Sequence, residues 1–402
     1  FMSLIKCFEC GNEISSFAKF CVYCGAPVCD THDYVIDDSK LVKYTGSDTD
    51  VVIPCFITEI GENAFENCDN LESIEMGDLV IEIGDHAFSG CKNLKKVTLP
   101  KNLKFMGSEI FYECDNLAIV NFKGNYKSWC QISFYNDWFD DNARYDLFIN
   151  NKLVRDIIIP ENISSIDGSF CNCKSIESIQ LSDSVKYIGD KTFSNCINLT
   201  KIKFSEHLEA IGDFAFYNCE KIDDIIIPNS VTYIGQYAFS SCINLKKIEL
   251  PNCLKEIKNF TFSECKNLEN IKLPNTILYL KEGAFYGCTK LTGIILPKNL
   301  IDIGESCFDA CASFQYVKIP KSVKKIGDYA FYGCHELEKV KMSYDLVDIG
   351  NDVFAFCCCV QIIYYEKDKN VDWEDDDTFN QSSEDDNTQW DDIIKIYEQG
   401  KK

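Results

Sequence analysis

One string returns along most of the chain: I-G-x-x-A-F-x-x-C-x-x-L-x-x-I-x-L-P-x-x-L. Its Phe falls at Phe65, Phe88, Phe111, Phe170, Phe193, Phe216, Phe239, Phe262, Phe285, Phe308, Phe331 and Phe354. The steps are 23 residues, except for one of 59 between Phe111 and Phe170. A Cys follows each of these Phe three residues later, from Cys68 to Cys357. Eight of the nine Pro share one phase, as at Pro100, Pro228 and Pro274. A unit this short cannot bury its own apolar side. Stacked units can, so the period predicts one array with a row of Phe, a row of Leu and a row of Ile.

The local pattern sets the elements. In L-x-x-I-x-L, for example Leu245 to Leu250, the spacing and β-branched residues suit a short strand, paired in parallel with its copies in neighbouring units. The Pro that follows has no N–H for the ladder and ends the strand. A second extended piece, such as Ser230–Ile234, leads to Gly235, read here as a turn position needing positive φ. The Ala-Phe-x-x-Cys stretch is expected to form a compact turn with Phe inside.

These units resemble the BspA-type leucine-rich repeats of bacterial and protist surface proteins. The resemblance spans about residues 34–365 and implies a mostly β repeat of α/β type: a leucine-rich-repeat solenoid of 23-residue units with short parallel strands. Leu41 to Pro54 resembles the half-unit that opens such arrays, and the long step resembles an irregular unit of the family. That insert, about residues 121–160, holds Trp129, Trp138 and Asn150-Asn151, the last read as a hairpin turn. Lys258 and Lys281 stand where the turn Gly is expected, and the unit ending at Phe170 is one residue short. Those turns should be locally altered while the core rows survive. The resemblance also implies a bacterial origin and a theme of adhesion or host-protein binding.

The cysteines form two populations. Those at the repeat phase read best as small, buried, weakly polar side chains, not as a disulfide or metal ladder. Cys357, Cys358 and Cys359 are adjacent and should include exposed thiols. Cys7-Phe8-Glu9-Cys10-Gly11 and Cys21-Val22-Tyr23-Cys24-Gly25 form a different pattern, C-x2-C-x10-C-x2-C. Four thiolates on two tight turns suit one tetrahedral, closed Zn²⁺ site, and the pattern resembles short bacterial zinc ribbons. An iron site or a disulfide pair are the rivals. Residues 1–30 have little core, so a metal would contribute most of their folding energy. Cys29 lies outside the spacing.

Composition narrows the function. The 402 residues carry a formal net charge of −23, which argues against nonspecific nucleic-acid or anionic-membrane binding. Only Lys6 and Lys19 are basic in the first 30 residues, so a nucleic-acid contact by the ribbon is a minor alternative. No run approaches the roughly 20 apolar residues that span a bilayer, so no membrane insertion is expected. The opening FMSLIKCFEC lacks a basic region before an apolar one. With the many thiols, that favours a cytoplasmic setting, the cell surface or secretion being the alternative. The four His (His32, His86, His207, His335) fall at different repeat phases, and neither a phosphate-binding loop nor a dinucleotide glycine fingerprint is present. An enzyme is not expected.

What remains is a protein-binding scaffold. The x residues of the strand should point outward and stack into a broad face carrying Lys246, Lys247, Glu249, Glu269, Lys272, Tyr316, Lys318, Glu338, Lys339 and Lys341. This face is a candidate surface for an acidic or mixed-charge protein, its charges otherwise discouraging aggregation. Trp129 and Trp138 are further candidates for partner contact, core closure of the insert being the favoured role. Residues 366–402 carry 13 acids and 5 Lys and are expected to be an acidic cap or tail.

Overall fold

The computed structural model describes residues 4–6, 11–15, 22–23, 32–135, 138, 144–343, 346–358 and 360–364. The array divides into two compact units, Phe1–Asp223 with Ser230–Cys242, and Asp224–Asn229 with Ile243–Lys402. Both are parallel β-solenoids of about 23 residues per turn.

In the first unit an antiparallel pair, Tyr34–Asp37 with Lys40–Tyr44, opens the array. Parallel strands then stack turn on turn: Asp50–Val52, Ser73–Glu75, Lys96–Leu99, Ile119–Phe122 and Asp146–Ile149, followed by Asp156–Ile158, Ser178–Gln180 and Lys201–Lys203. A second ladder of two-residue strands runs through Glu59–Ile60, Glu82–Ile83, Phe105–Met106 and Ser133–Phe134. It has its counterpart in Ser165–Ile166, Tyr187–Ile188, Ala210–Ile211 and Tyr233–Ile234. The second unit repeats the plan with Asp224–Ile226, Lys247–Glu249 and Asn270–Lys272, and with Tyr316–Lys318, Lys339–Met342 and Gln361–Tyr364. Single bridges Lys272 to Ile295 and Gly293 to Tyr316 link these two sets.

The core rows are those the period dictates. All twelve repeat Phe are buried. Within the first unit Phe170, Phe193, Phe216 and Phe239 stack at 5.3–5.5 Å between ring centroids. Within the second, Phe262, Phe285, Phe308, Phe331 and Phe354 stack at 5.1–5.7 Å. Offset aromatic pairs at such distances contribute roughly 0.5–1.5 kcal/mol each beyond their buried area.

The Phe turn has a backbone rule that the sequence reading did not foresee. The residues two before and two after each repeat Phe have positive φ, as at Asn63 and Asn67, Phe214 and Asn218, or Tyr329 and Gly333. Alternate amides thereby face the next turn. Phe214, Phe216 and Asn218 donate to the carbonyls of Gln236, Ala238 and Ser240 at 2.8–2.9 Å, while Tyr217 and Cys219 donate locally to Phe214 and Phe216. The turn thus satisfies its own backbone although it is neither helix nor strand.

Gly235 needs a correction. It is absent from the positive-φ positions. Its role is close approach: a Cβ there would lie 2.5 Å from the Asp213 amide nitrogen and from the Gly212 carbonyl carbon. The left-handed residue is Tyr237, two positions on. The turns at Lys258 and Lys281 also differ from expectation, because the Lys281 amide donates to Ile257 O at 2.9 Å much as Gly304 donates to Leu280 O at 2.8 Å. Both lysines pair with Glu256, and the ladder through Glu256–Ile257 and Tyr279–Leu280 is unbroken.

Candidate binding surface

The irregular insert is built to keep the stack in register. Asn125 caps a short helix, Tyr126–Cys130, through a reciprocal capping box with Ser128. Asn150 and Asn151, at φ 50° and 62°, turn Asp146–Ile149 back onto Lys152–Leu153 as an antiparallel hairpin. Trp138 takes the place of a ladder Phe, 6.3 Å from Phe111 and 6.0 Å from Tyr145. Its indole N–H donates to Gly168 O at 3.0 Å, and that of Trp129 to Ser169 O at 2.8 Å. Trp129 is 0% and Trp138 2% exposed. Neither can touch a partner; both close the core, and they are withdrawn as binding residues.

The repeat cysteines are structural as well. The thiol of Cys219 donates to Phe193 O at 3.2 Å and that of Cys311 to Phe285 O at 3.1 Å, and others repeat the bond turn after turn. Burial pushes the Cys173 thiol up to about 11 and the Cys242 thiol up to about 12, so both stay protonated at neutral pH. Cys358 is exposed, as its place in the Cys run suggested, and so is Cys55.

Cys7, Cys10, Cys21 and Cys24 lie outside the described residues. What is described beside the first pair is an antiparallel ladder, Leu4–Lys6 with Glu13–Ser15, closed by the register Lys6 to Glu13. In sequence Cys7 and Cys10 fall between these two strands, and Gly11, which follows them, has φ 69°. Among the described residues, no group of three or more His, Cys, Asp or Glu is placed to hold a metal.

The outward face of the second unit carries the remaining candidates. In Lys247–Glu249 and Asn270–Lys272 the central Ile248 and Ile271 are buried and their neighbours exposed. Strand register lines the outward residues into two columns. One runs Asp224, Lys247, Asn270; the other runs Ile226, Glu249, Lys272. The bridges carry them on through Gly293, Tyr316 and Lys339, and through Ile295, Lys318 and Lys341. Lys247, Lys272, Tyr316, Lys318, Lys339 and Lys341 are therefore brought together, and Lys246 flanks them. The Glu249 carboxylate accepts from Lys247 at 2.7 Å, a bond that raises the lysine above its ordinary value.

Two residues were missed by the sequence reading. Ile226 is 69% and Ile295 87% exposed, each in the same column as Lys272. Their signal was an apolar residue at an x position of the strand frame. Ile226, Lys246, Lys247, Glu249 and Lys272 line an open groove of about 760 Å³. Tyr316 is 52% exposed, and its ring lies against Gly293 on the neighbouring strand position, where a Cβ would meet it at an ordinary contact distance of 3.6 Å. The face thus combines ammonium groups with isolated exposed apolar side chains.

The BspA type leucine rich repeat region matches in six copies, over residues 39–140, 142–269 and 255–384. Several solved structures are similar. A leucine-rich repeat protein from Bacteroides ovatus ATCC 8483 is 25% identical, with 91% of this chain and 98% of that one covered and a TM-score of 0.59. A leucine rich cell surface protein from Faecalibacterium prausnitzii A2-165 is 24% identical, covering 83% and 93%, with a TM-score of 0.55. A leucine-rich repeat protein from Eubacterium ventriosum ATCC 27560 is 24% identical, covering 73% and 88%, with a TM-score of 0.54. No curated protein matches the chain.

Proposed function

The chain belongs to the BspA-type leucine-rich repeat family, and from that premise we propose that it is a non-catalytic scaffold that binds a protein on the outward ladder face of its second unit. The observation that carries this reading is the exposed pair Ile226 and Ile295 in the column that also holds Lys272. Exposed aliphatic groups beside ammonium groups favour a partner segment that is acidic and carries an apolar side chain. Extended faces of this kind are how repeat arrays commonly bind.

Cys7, Cys10, Cys21 and Cys24 would hold a structural Zn²⁺ beside this array, supplying rigidity to the ribbon and no chemistry to the face. The setting we favour is the cell surface. The Faecalibacterium relative is described as a cell surface protein. The thiol count, which had favoured the cytoplasm, loses force because most repeat thiols are buried, and one such as Cys242 is hydrogen-bonded and pushed up to about 12 by burial, which protects it in either compartment. Among the described residues no helix is long and apolar enough to cross a membrane.

The test is a comparison of variants. Wild type and Lys272→Glu/Lys318→Glu/Lys341→Glu are compared for protein capture, beside a control reversed at Lys201 and Lys203 on the first unit's ladder. Partners lost only by the first variant support the reading. Equal capture by all three chains would sink it.

A further inference from the structure

The lysine columns of the second unit begin next to the acidic part of the same chain. The strand Gln361–Tyr364 pairs with Lys339–Met342, so Tyr364 ends the sheet whose outward face carries Lys339 and Lys341. Residues 366–402, which lie outside the described residues, follow directly and hold 13 acids against 5 Lys. We propose that this acidic segment docks in cis on the outward lysine face around Lys272, Lys318 and Lys341 and competes there with external partners. The proposal rests on the reading of that face as a binding surface for acidic segments.

Reach and charge agree. Stepping from Gln361–Tyr364 back to Lys272 crosses four strand positions, about 19 Å at ~4.8 Å per strand. The run Asp372-Trp373-Glu374-Asp375-Asp376-Asp377 starts eight residues after Tyr364, which at ~3.3 Å per residue spans about 26 Å. The second run, Glu384-Asp385-Asp386, has more slack still. The chain is −23 overall, and the lysines of this face are opposite in charge to the segment. Trp373 sits inside the first acidic run, and Ile295 offers it an exposed apolar contact between Lys272 and Lys318. Being tethered, the segment acts at an effective concentration on the order of 1 mM, enough to screen weak partners and yield to strong ones.

Carbodiimide cross-linking of the full chain at low salt tests this. The expected result is cross-links in the monomer from residues 372–377 or 384–386 to Lys272, Lys318 or Lys341, lost at about 1 M salt. Cross-links confined to a dimer would mean a second copy is the occupant and would overturn the proposal. So would their absence while the same lysines remain reactive to an acylating reagent. A second chain carries Glu374→Gln, Asp375→Asn, Asp376→Asn, Asp377→Asn, Glu384→Gln, Asp385→Asn and Asp386→Asn. It should bind a fluorescent Glu-rich peptide containing one Trp about tenfold more tightly than wild type; unchanged affinity counts against the cis contact. If neither chain binds the peptide but the cross-links form, the cis contact stands and the external acidic partner falls.

Discussion

The thiol of Cys242 donates to the carbonyl oxygen of Phe216 in the preceding turn, at 3.3 Å. The same oxygen accepts the amide of Cys219 at 3.3 Å. One carbonyl thus holds its own turn closed and ties the next turn to it. A small side chain with a single weak donor suits that place, which gives the F-x-x-C spacing its physical reason.

Removing the donor tests the bond. Cys242→Val keeps an apolar side chain of similar bulk but leaves the Phe216 carbonyl with only its local bond. The expected loss is roughly 1–3 kcal/mol in denaturant unfolding. A variant as stable as wild type would reduce the thiol to a space filler.

The buried thiols should make the array sensitive to alkali. Burial raises Cys173 to about 11 and Cys242 to about 12. A raised acid pKa means that the folded chain keeps a proton the unfolded chain loses. Stability is therefore unaffected below the unfolded thiol value near pH 9 and falls as pH rises toward 11–12. Each such thiol adds a slope of about 1.4 kcal/mol per pH unit in that window. Melting temperatures across pH 7–11 check the direction, and native thiol labelling should reach Cys55 and Cys358 well before Cys242.

The turn glycine separates two explanations by experiment. Gly235→Ala places a Cβ against the Asp213 and Gly212 backbone and should cost about 1–3 kcal/mol. Asn218, at φ 55°, bonds Asn195 at 2.8 Å. Asn218→Ala should therefore cost about 1 kcal/mol through both strain and the lost bond, and more than Asn218→Gly. A neutral Gly235→Ala would contradict the close approach.

The contrast shows what the sequence made legible. The 23-residue period announced the Phe, Leu and Ile rows, and Asn150-Asn151 announced a hairpin whose register, Ile149 to Lys152, leaves a two-residue turn. Those signals are local or repeated. The left-handed positions were less visible, because only some carry Asn or Gly; Phe214, Tyr237 and Tyr329 hold positive φ in the same place. Trp138 standing in for a ladder Phe was hidden too, since its partner carbonyl at Gly168 lies 30 residues away. Ile226 and Ile295 were overlooked because the reading of the outward x positions followed their charged residues.

Trp138 offers a further check. Trp138→Phe should retain an aromatic contact with Phe111, edge-on in the wild type, and lose mainly the indole bond to Gly168, roughly 1 kcal/mol. Trp138→Ala opens a cavity in the insert and should cost about 3–5 kcal/mol. Equal effects would mean that the ring itself carries no packing role.

For the ribbon, Cys7→Ser and Cys24→Ser are each expected to lower bound zinc from about one per chain to none, with the circular dichroism of the repeats unchanged. Metal analysis that finds full zinc in both variants would rule out the four-thiolate site.

The most direct measurement is backbone amide exchange of the full chain with and without a bound Glu-rich peptide containing one Trp. Slowed exchange confined to Asn270–Lys272, Tyr316–Lys318 and Lys339–Met342 and the residues between them is the expected result, reduced by the reversal of Lys272, Lys318 and Lys341. Protection elsewhere, or protection that survives the reversal, would contradict the ladder face as the binding surface.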